Sequence, residues 1–433
     1  MGSKSMKSLN IAILGAGNVG AQVIRLLQQN QADLSARAGG QLNLAKVLVR
    51  DAKKKRDANV SYTDDADSIL NDSNIDLVVE LMGQIEPART YIKRALSAGK
   101  SVVTANKALL AKHGAELFAL ADEKNVDLYY EAAVAGAIPI LRPLRESLVG
   151  DHVTKVMGIV NGTTNYILTK MSETGENFAS ALKSAQQLGF AEADPSADVE
   201  GKDAAAKAAI LAGLAFHTRV TDEDVYCEGI SKISDVDIKV ANALGLTIKL
   251  LAIAQINNGD NKKSISVRVH PTLISQKHPL AAVREAFNAV FVEAESAGQM
   301  MFYGKGAGGE PTASAVLGDV VAVARHRFSG GIGPKESDYA DLKIESISQS
   351  LTRYLIRLNV ADKPGVLAAV AQEFSKHNVS IQTVRQYGAG TNAELTIMTH
   401  VGKESDLSAT VKDLAKLPVV DDVASVIRVE GEI

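Results

Sequence analysis

The sequence predicts an α/β protein in three parts: an amino-terminal parallel sheet flanked by helices, a central α+β region around a mixed sheet, and a carboxyl-terminal ferredoxin-like βαββαβ module. Three observations carry this. Short apolar runs alternate with helically spaced segments over the first third of the chain, the pattern of βαβ units. That pattern changes after Pro139. From Leu351 onward, strand and helix patterns follow one another in split-βαβ order.

Residues 9–14 form a short, mostly apolar run suited to a buried parallel strand. A glycine turn follows, then a helix over 19–29 with Val19, Val23, Leu26 and Leu27 at helical spacing. Residues 42–49, 76–81, 101–104 and 126–130 read as further strands, with helices over 86–98 and 107–124 between them. In the central region 153–160 reads as a strand, 177–188 and 202–215 as helices, and 264–269 and 289–294 as strands. Residues 301–311 are glycine-dense, and 313–326 form an alanine- and valine-rich helix. Gly330, Gly331, Gly333 and Pro334 mark 328–337 as an interdomain linker. The last module has strands at 354–360, 381–387, 393–399 and 423–429, helices at 366–377 and 404–416, and turns at 362–365 and 388–390. The expected domains are 8–135, completed by about 305–330, then 136–304, a linker over 331–349, and 350–433.

Composition narrows the function. At roughly 100–200 residues per domain, 433 residues suit two to four domains. Apolar residues at 46% and charged residues at 22% argue against wholesale disorder. A net charge of −3 without a long basic block gives no reason to expect a nucleic-acid partner. Cys227 is the only cysteine, which excludes an internal disulfide framework and suits a reducing compartment. No apolar run approaches the roughly 18–20 residues of a membrane span, so no membrane partner is expected. Residues 1–6 are polar, without the apolar stretch of a secretory signal. Residues 1–5 are compatible with a leader that puts the natural start at Met6, and the expected location is cytoplasmic.

Gly15-Ala16-Gly17-Asn18-Val19-Gly20 is a G-x-G-x-x-G turn between a strand and a helix. The first glycine permits the tight turn, the second lets a pyrophosphate approach the backbone, and the third lets helix and strand pack closely. The helix N-terminus then offers N–H groups and a positive dipole end. In this context the turn points to a nicotinamide dinucleotide and a Rossmann domain. The end of the second strand decides between NAD and NADP. Here Arg50-Asp51 is followed by the basic run 53–56. Arg50 and the run favour NADP, Asp51 favours NAD, and a solvated loop accounts equally for the run. NADP is the expectation, with NAD as the alternative.

Residues 185–207 are the most informative stretch. They place Glu192, Asp194, Asp198 and Glu200 in a loop, then Asp203 and Lys207 at i,i+4 spacing on one helix face. Alanines at 204, 205, 206, 208 and 209 surround the lysine, so another group can approach closely and water can be excluded. Spacing alone still favours a plain surface ion pair. The spacing Ala185-x3-Gly189-Phe190-Ala191-x2-Asp194-Pro195-x2-Asp198-Val199-x-Gly201-x-Asp203-x3-Lys207 resembles the signature of the homoserine dehydrogenases, with every constrained position filled. Segments 104–107, 130–136, 158–166 and 304–308 with Pro311-Thr312 also resemble that family, and the similarity covers about 8–330.

The resemblance implies reversible reduction of L-aspartate 4-semialdehyde to L-homoserine, in threonine and methionine biosynthesis. It implies Lys207 as the general acid and base, with Lys107 assisting electrostatically near the carbonyl and nicotinamide. Glu192 and Asp203 would bind the polar substrate, most of all its ammonium group, with Asp198 in support. Gly189, Gly306 and Gly308 would lie against the cofactor. It further implies a monovalent cation, Na+, on Glu131 and the carbonyls of Val134, Gly136 and Ile138. A simple hinge with Glu131 capping a neighbour is the competing reading of that stretch. His113, His217 and His326 are scattered and read as structural.

Asp362-Lys363-Pro364-Gly365, between a strand and an amphipathic helix, resembles an ACT domain. Such modules often bind amino acids, and pathway logic favours L-threonine, although a dimerising module without ligand fits the residues as well. A homodimer or homotetramer is the expected assembly. Aspartate-semialdehyde dehydrogenase, which needs a cysteine nucleophile, is excluded because Cys227 lies in Val225-Tyr226-Cys227-Glu228, outside any nucleophile-like turn. A non-catalytic nucleotide sensor and another ACT-bearing dehydrogenase remain as alternatives.

Overall fold

A computed structural model describes residues 7–54, 56–258, 262–388 and 393–431. Residues 1–6, Lys55 of the basic run and residues 389–390 of the 388–390 turn lie outside the described residues. The chain gathers into two compact units: Met1–Val156 with Ala206–Asp224 and Phe287–Asp341, and Met157–Ala205 with Val225–Ala286 and Leu342–Ile433.

The first unit holds a parallel sheet of β1 (Ser8–Leu14), β2 (Gln41–Leu48), β3 (Tyr62–Thr63), β4 (Leu77–Glu80), β5 (Ser101–Thr104) and β6 (Leu128–Tyr129). Their order is β3-β2-β1-β4-β5-β6, the doubly wound order with its reversal between β1 and β4. Strand alternation sends side chains to two cores. Leu9, Ile11 and Ile13 enter one core with Val23 and Leu27 of helix Asn18–Gln29 and Val316, Val320 and Ala324 of helix Gly309–Ser329. Ala12 and Leu14 enter the other with Ile92, Leu96, Leu109 and Leu117 of helices Ala88–Ser97 and Lys107–Lys124. Each fully buried Leu or Ile contributes roughly 1.5–3 kcal/mol, so these stripes dominate the unit's stability. Elements that escaped the sequence reading include the two-residue β3, helix Asp67–Leu70, strand Gly298–Lys305 and helix Gln31–Ala38, which ends on Gly39 at φ 83.

The segment that reads as a linker is pinned along this unit. Gly333 N donates to Asp127 Oδ1 at 2.7 Å, and the Tyr130 hydroxyl donates to Glu336 at 2.8 Å. Ser337 Oγ and His217 Nδ1 are 2.8 Å apart, Tyr339 stacks on the His217 ring, and Ala340 N donates to the His217 carbonyl. His217 is thus structural, as is His326, whose Nδ1 lies 3.2 Å from Asp127 Oδ2.

The second unit is built on two antiparallel strands, Leu246–Asn258 and Lys263–Ser275. The latter also pairs in parallel with Tyr226–Cys227, Lys343–Ile344 and Val420–Val429, so the sheet is mixed. Sequence reading found only 264–269 of these long strands. Most of Leu246–Ala254 is buried, which erases the alternation that marks a half-exposed strand. Helix Gly162–Thr174 was missed for the same reason: residues 163–169 are buried without a break, which leaves no amphipathic stripe there. Helix Asp235–Ala243 opens on a Ser234/Asp237 capping box.

The carboxyl-terminal module orders its strands Val420–Val429, Leu351–Val360, Ala393–Thr399, Ile381–Tyr387, the ferredoxin-like arrangement expected. Ile356, Leu358, Val370, Phe374 and Leu407 fill its core under helices Val366–Lys376 and Glu404–Leu414. At Arg428 and Val429 its edge strand pairs with Thr272 and Leu273, so its sheet runs on into the mixed sheet.

Buried Lys249 gives this unit a pH signature. Its Nζ donates to Asn165 Oδ1 at 3.0 Å and to the Val283 carbonyl at 2.5 Å. Burial pushes the ammonium down to about 8 from an ordinary 10.5. Folding therefore disfavours the charged form; the cost is full below about pH 8 and fades toward 10.5. At full extent it is on the order of 3 kcal/mol. Relative to the parent, Lys249→Met is expected to lose several degrees of melting temperature between pH 7 and pH 9.5. A difference that does not change with pH would count against the assignment.

Candidate active site

In the first unit the glycine turn has the geometry of a phosphate cradle. Gly15 sits at φ +102, where an added Cβ would lie 2.9 Å from the Leu81 carbonyl oxygen. A Cβ on Gly20 would lie 2.0 Å from the Gly15 carbonyl oxygen, so the helix can approach the turn only without a side chain there. Gly17 meets nothing within 4 Å: its missing side chain leaves open space rather than a contact. That open space is continuous with a cleft of about 490 Å³ lined by Gly15, Gly17, Arg50, Leu81, Met82 and Tyr91, among others.

The second glycine loop closes on the first. A Cβ on Gly309 would lie 2.7 Å from Asn18 Oδ1. Helices Asn18–Gln29 and Gly309–Ser329 therefore bring their N-termini together, and neither Gly17 nor Gly308 supplies a side-chain cap. Two uncapped N-termini with their positive dipole ends fit a pyrophosphate. Gly306 and Gly308 belong to this loop, with Gly306 packed against the side chain of Asn288. Both Arg50 and Asp51 are exposed, but Asp51 Oδ1 accepts from Lys53 N at 2.9 Å, which ties its carboxylate into a local turn. Arg50 lines the cleft.

Lys107 is half-buried at the start of helix Lys107–Lys124, whose cap Asn106 accepts from Leu109 N at 3.2 Å. A buried network fixes this entry. Thr104 Oγ1 donates to Glu80 Oε2 at 2.6 Å, Met82 N donates to Glu80 Oε1, and Asn106 N donates to Thr104 Oγ1. Burial pushes the Glu80 carboxyl up, against the hydrogen bonds that hold its charge. Glu80 was absent from the sequence reading, where it passed as one more strand residue.

Lys207 is only 8% exposed. The plain surface ion pair, which spacing alone favoured, is therefore not its environment. Helix Lys202–Phe216 carries both Asp203 and Lys207, with alanines 204, 205, 206, 208 and 209 all buried. Their small side chains let the helix be enclosed up to the lysine.

The Glu131 carboxylate accepts three main-chain N–H groups: Ile140 at 2.6 Å, Leu141 at 2.8 Å and Arg142 at 2.8 Å. This is the capping role. Oε1 takes two of these bonds and Oε2 only one, so the carboxylate keeps acceptor capacity beside the turn. The turn itself is unusual, with Ala135 and Gly136 both at φ 56. A Cβ on Gly136 would lie 2.5 Å from the Gly306 carbonyl oxygen, so it packs directly on the second glycine loop.

In the second unit the structure joins two of the expected carboxylates through a residue that sequence reading did not single out. Asn161, 4% exposed, donates its amide to Asp198 Oδ1 at 2.6 Å and to Asp203 Oδ2 at 2.9 Å. Its own Oδ1 accepts from Thr164 N, which caps helix Gly162–Thr174. Both carboxylates are half-buried, and Glu192 is exposed. Gly189 stands at φ +75 with open space beside it. Asp194 accepts from Ser196, which holds its carboxyl below the usual range. Elsewhere, Glu373, His377 and Asp413 converge in the last module, but Lys376 and Lys416 reach the same carboxylates and close the group into an ion network.

Comparison with known proteins identifies this assembly. Family models described as "Homoserine dehydrogenase, NAD binding domain", "Homoserine dehydrogenase" and "ACT domain" match residues 15–131, 139–321 and 354–419. A homoserine dehydrogenase of Corynebacterium glutamicum is 54% identical over 428 residues, 98% of this chain and 96% of the relative. The chain belongs to the homoserine dehydrogenases. A homoserine dehydrogenase of Mycobacterium tuberculosis is also 54% identical, over 98% of each chain. The solved homoserine dehydrogenase of Thiobacillus denitrificans superposes with a TM-score of 0.92 at 38% identity, over 98% of this chain and 99% of that one. A hyperthermophilic archaeal homoserine dehydrogenase solved in complex with NADPH gives 0.62 at 28% identity, over 73% of this chain and 98% of its own. The protein is thus an oxidoreductase of this family with a Rossmann domain that takes a nicotinamide coenzyme and a carboxyl-terminal ACT domain. Among the described residues, no helix is long and apolar enough to cross a membrane.

Proposed function

We propose that this homoserine dehydrogenase interconverts L-homoserine and L-aspartate 4-semialdehyde with Lys207 as the general acid and base. The carrying observation is the burial of Lys207 on an alanine-rich helix one turn from Asp203. Bound nicotinamide coenzyme supplies and accepts the hydride at the carbinol carbon. The chain's residues do the rest. In the oxidative direction Lys207 Nζ takes the hydroxyl proton as the C–H bond is lost; in reduction it returns that proton to the carbonyl oxygen. Lys107 stabilises the negative charge that gathers on this oxygen. Glu192 and Asp203 hold the substrate ammonium, and Asp198 supports Asp203 through Asn161. Exclusion of water from the lysine strengthens each of these interactions. Absorbance change of the coenzyme with L-homoserine tests the reaction, and no turnover with either coenzyme would refute it.

NADP is the preferred coenzyme in this proposal. Arg50 faces the cleft, Asp51 is occupied by Lys53 N, and a related enzyme was solved with NADPH. Arg50→Glu should shift the NADP/NAD ratio of kcat/KM toward NAD by about tenfold to a hundredfold; an unchanged ratio would remove Arg50 from the site. Gly15, Gly17, Asn18, Val19 and Gly20 hold the pyrophosphate, and Gly189, Gly306 and Gly308 lie along the coenzyme. A monovalent cation, Na+, sits on the stretch from Glu131 to Ile138. It is held by Glu131 and the main-chain oxygens of Val134, Gly136 and Ile138, an all-oxygen set suited to a hard ion, and Glu131 also organises the turn. The ACT domain receives an amino-acid effector, L-threonine, at the helix N-terminus after Gly365. The assay above, repeated with L-threonine, should report inhibition or a raised melting temperature. Absence of both would leave the module without this ligand.

A further inference from the structure

We propose that Arg428 and Glu228 are positioning residues for the acidic segment that carries Asp198 and Asp203. The inference rests on the reading of those carboxylates as substrate groups and extends it to the carboxyl-terminal module.

Arg428 lies on strand Val420–Val429 with its side chain 11% exposed. Nη2 donates to Glu404 Oε1 at 2.6 Å, Nη1 to Glu228 Oε2 at 2.7 Å and Nη2 to the Tyr226 hydroxyl at 3.1 Å. The guanidinium also lies 5.0 Å from the Tyr226 ring centroid. Glu404, itself buried, already neutralises the arginine. Glu228 is the second acid, and its place is set by the guanidinium.

Glu228 belongs to a stretch that lies directly on the acidic segment. A Cβ on Gly229 would fall 2.2 Å from the Val199 carbonyl oxygen and 2.5 Å from Glu200 Cα, so the two main chains touch. Ile230 N donates to the Val199 carbonyl at 2.8 Å, and Cys227 Sγ donates to the Glu200 carbonyl at 3.2 Å. Glu228 N donates to the Val269 carbonyl, which ties the stretch to the mixed sheet. Asn161 holds Asp198 and Asp203 by their side chains, and residues 227–230 hold the intervening main chain. A shift of the module's edge strand is therefore felt at Glu228 and passed by main-chain contact to the two carboxylates.

Glu228→Gln is the mild test, because Arg428 stays paired with Glu404 and the fold is kept. In the full-length protein with NADP present, amide exchange over 196–203 should quicken by about tenfold, while exchange in helix Asn18–Gln29 stays as it was. The KM for L-homoserine should rise roughly fivefold to tenfold, with kcat and the coenzyme KM within about twofold. Arg428→Lys, which keeps the charge but loses the fork, should move both readouts the same way. Unchanged exchange over 196–203 in Glu228→Gln would overturn the proposal, as would an equal rise in the KM of substrate and coenzyme. Faster exchange with an unchanged homoserine KM would uphold the positioning and instead refute Asp198 and Asp203 as substrate groups.

Discussion

Replacing Lys207 with alanine is expected to lower kcat for L-homoserine by about 10³-fold, the scale of a lost general acid and base, while coenzyme still binds. The residue is enclosed, on a helix whose neighbouring side chains are methyl groups. Its removal therefore deletes a proton donor without opening the coenzyme cleft, which is lined by other residues. Lys207→Arg should recover little, because a guanidinium does not release its proton near neutral pH. Single-turnover absorbance at saturating coenzyme separates the two effects. Coenzyme titration of the alanine variant, followed by protein fluorescence or calorimetry, should give a Kd within a fewfold of the parent. Turnover retained within a fewfold would end the assignment of Lys207, and a lost coenzyme Kd would make it a structural residue.

Substitutions in the glycine turn should divide by position. At Gly20 an added Cβ has no room, lying 2.0 Å from the Gly15 carbonyl oxygen. Gly20→Ala should cost stability even without ligand, by about 1–3 kcal/mol, together with coenzyme binding. At Gly17 nothing lies within 4 Å. Gly17→Val should leave the ligand-free melting temperature within about 2 °C of the parent and raise the coenzyme Kd by roughly a hundredfold, because its side chain fills the space reserved for the pyrophosphate. Thermal shift with and without NADP(H) reads both. A Gly17 variant that is stable and still gains the parent's coenzyme-induced stabilisation would show that the cradle binds something else.

The parts that sequence made legible are those where one physical constraint writes a local pattern. The glycine turn is such a case, since a tight strand-to-helix turn with no room for a Cβ at Gly15 or Gly20 forces glycines at a fixed spacing. The ferredoxin-like module is another, because its two amphipathic helices and the strands they cover form one local core. Strand Leu246–Asn258 failed for the opposite reason: burial along most of its length removes the alternation. Lys207 stood out as a candidate only through the long spacing around it. Its alanine neighbours hinted at enclosure, yet enclosure depends on what packs there, and no i,i+4 pattern encodes that. Asn161 was hidden more deeply. Its spacing to Asp198 and Asp203 carries no periodic signal, and an asparagine before a helix reads first as a cap, a role it also fills.

The continuity between the mixed sheet and the last module bears on how this architecture can be cut. Asp237, 2% exposed, is held below the usual carboxylate range. Burial opposes its charge, but hydrogen bonds from Ser234, Ser425 and Arg357 outweigh it. Arg268, 1% exposed, reaches Glu430 at 3.2 Å. Ser425, Arg357 and Glu430 all belong to the carboxyl-terminal portion. Truncating the chain at the apparent domain boundary would strip Asp237 of Ser425 and Arg357, and Arg268 of Glu430, and uncover the sheet edge on which the module packs. What looks like a detachable module is also a support on which the mixed sheet leans, and a chain shortened by its deletion would have to be repaired at Asp237 and Arg268 first.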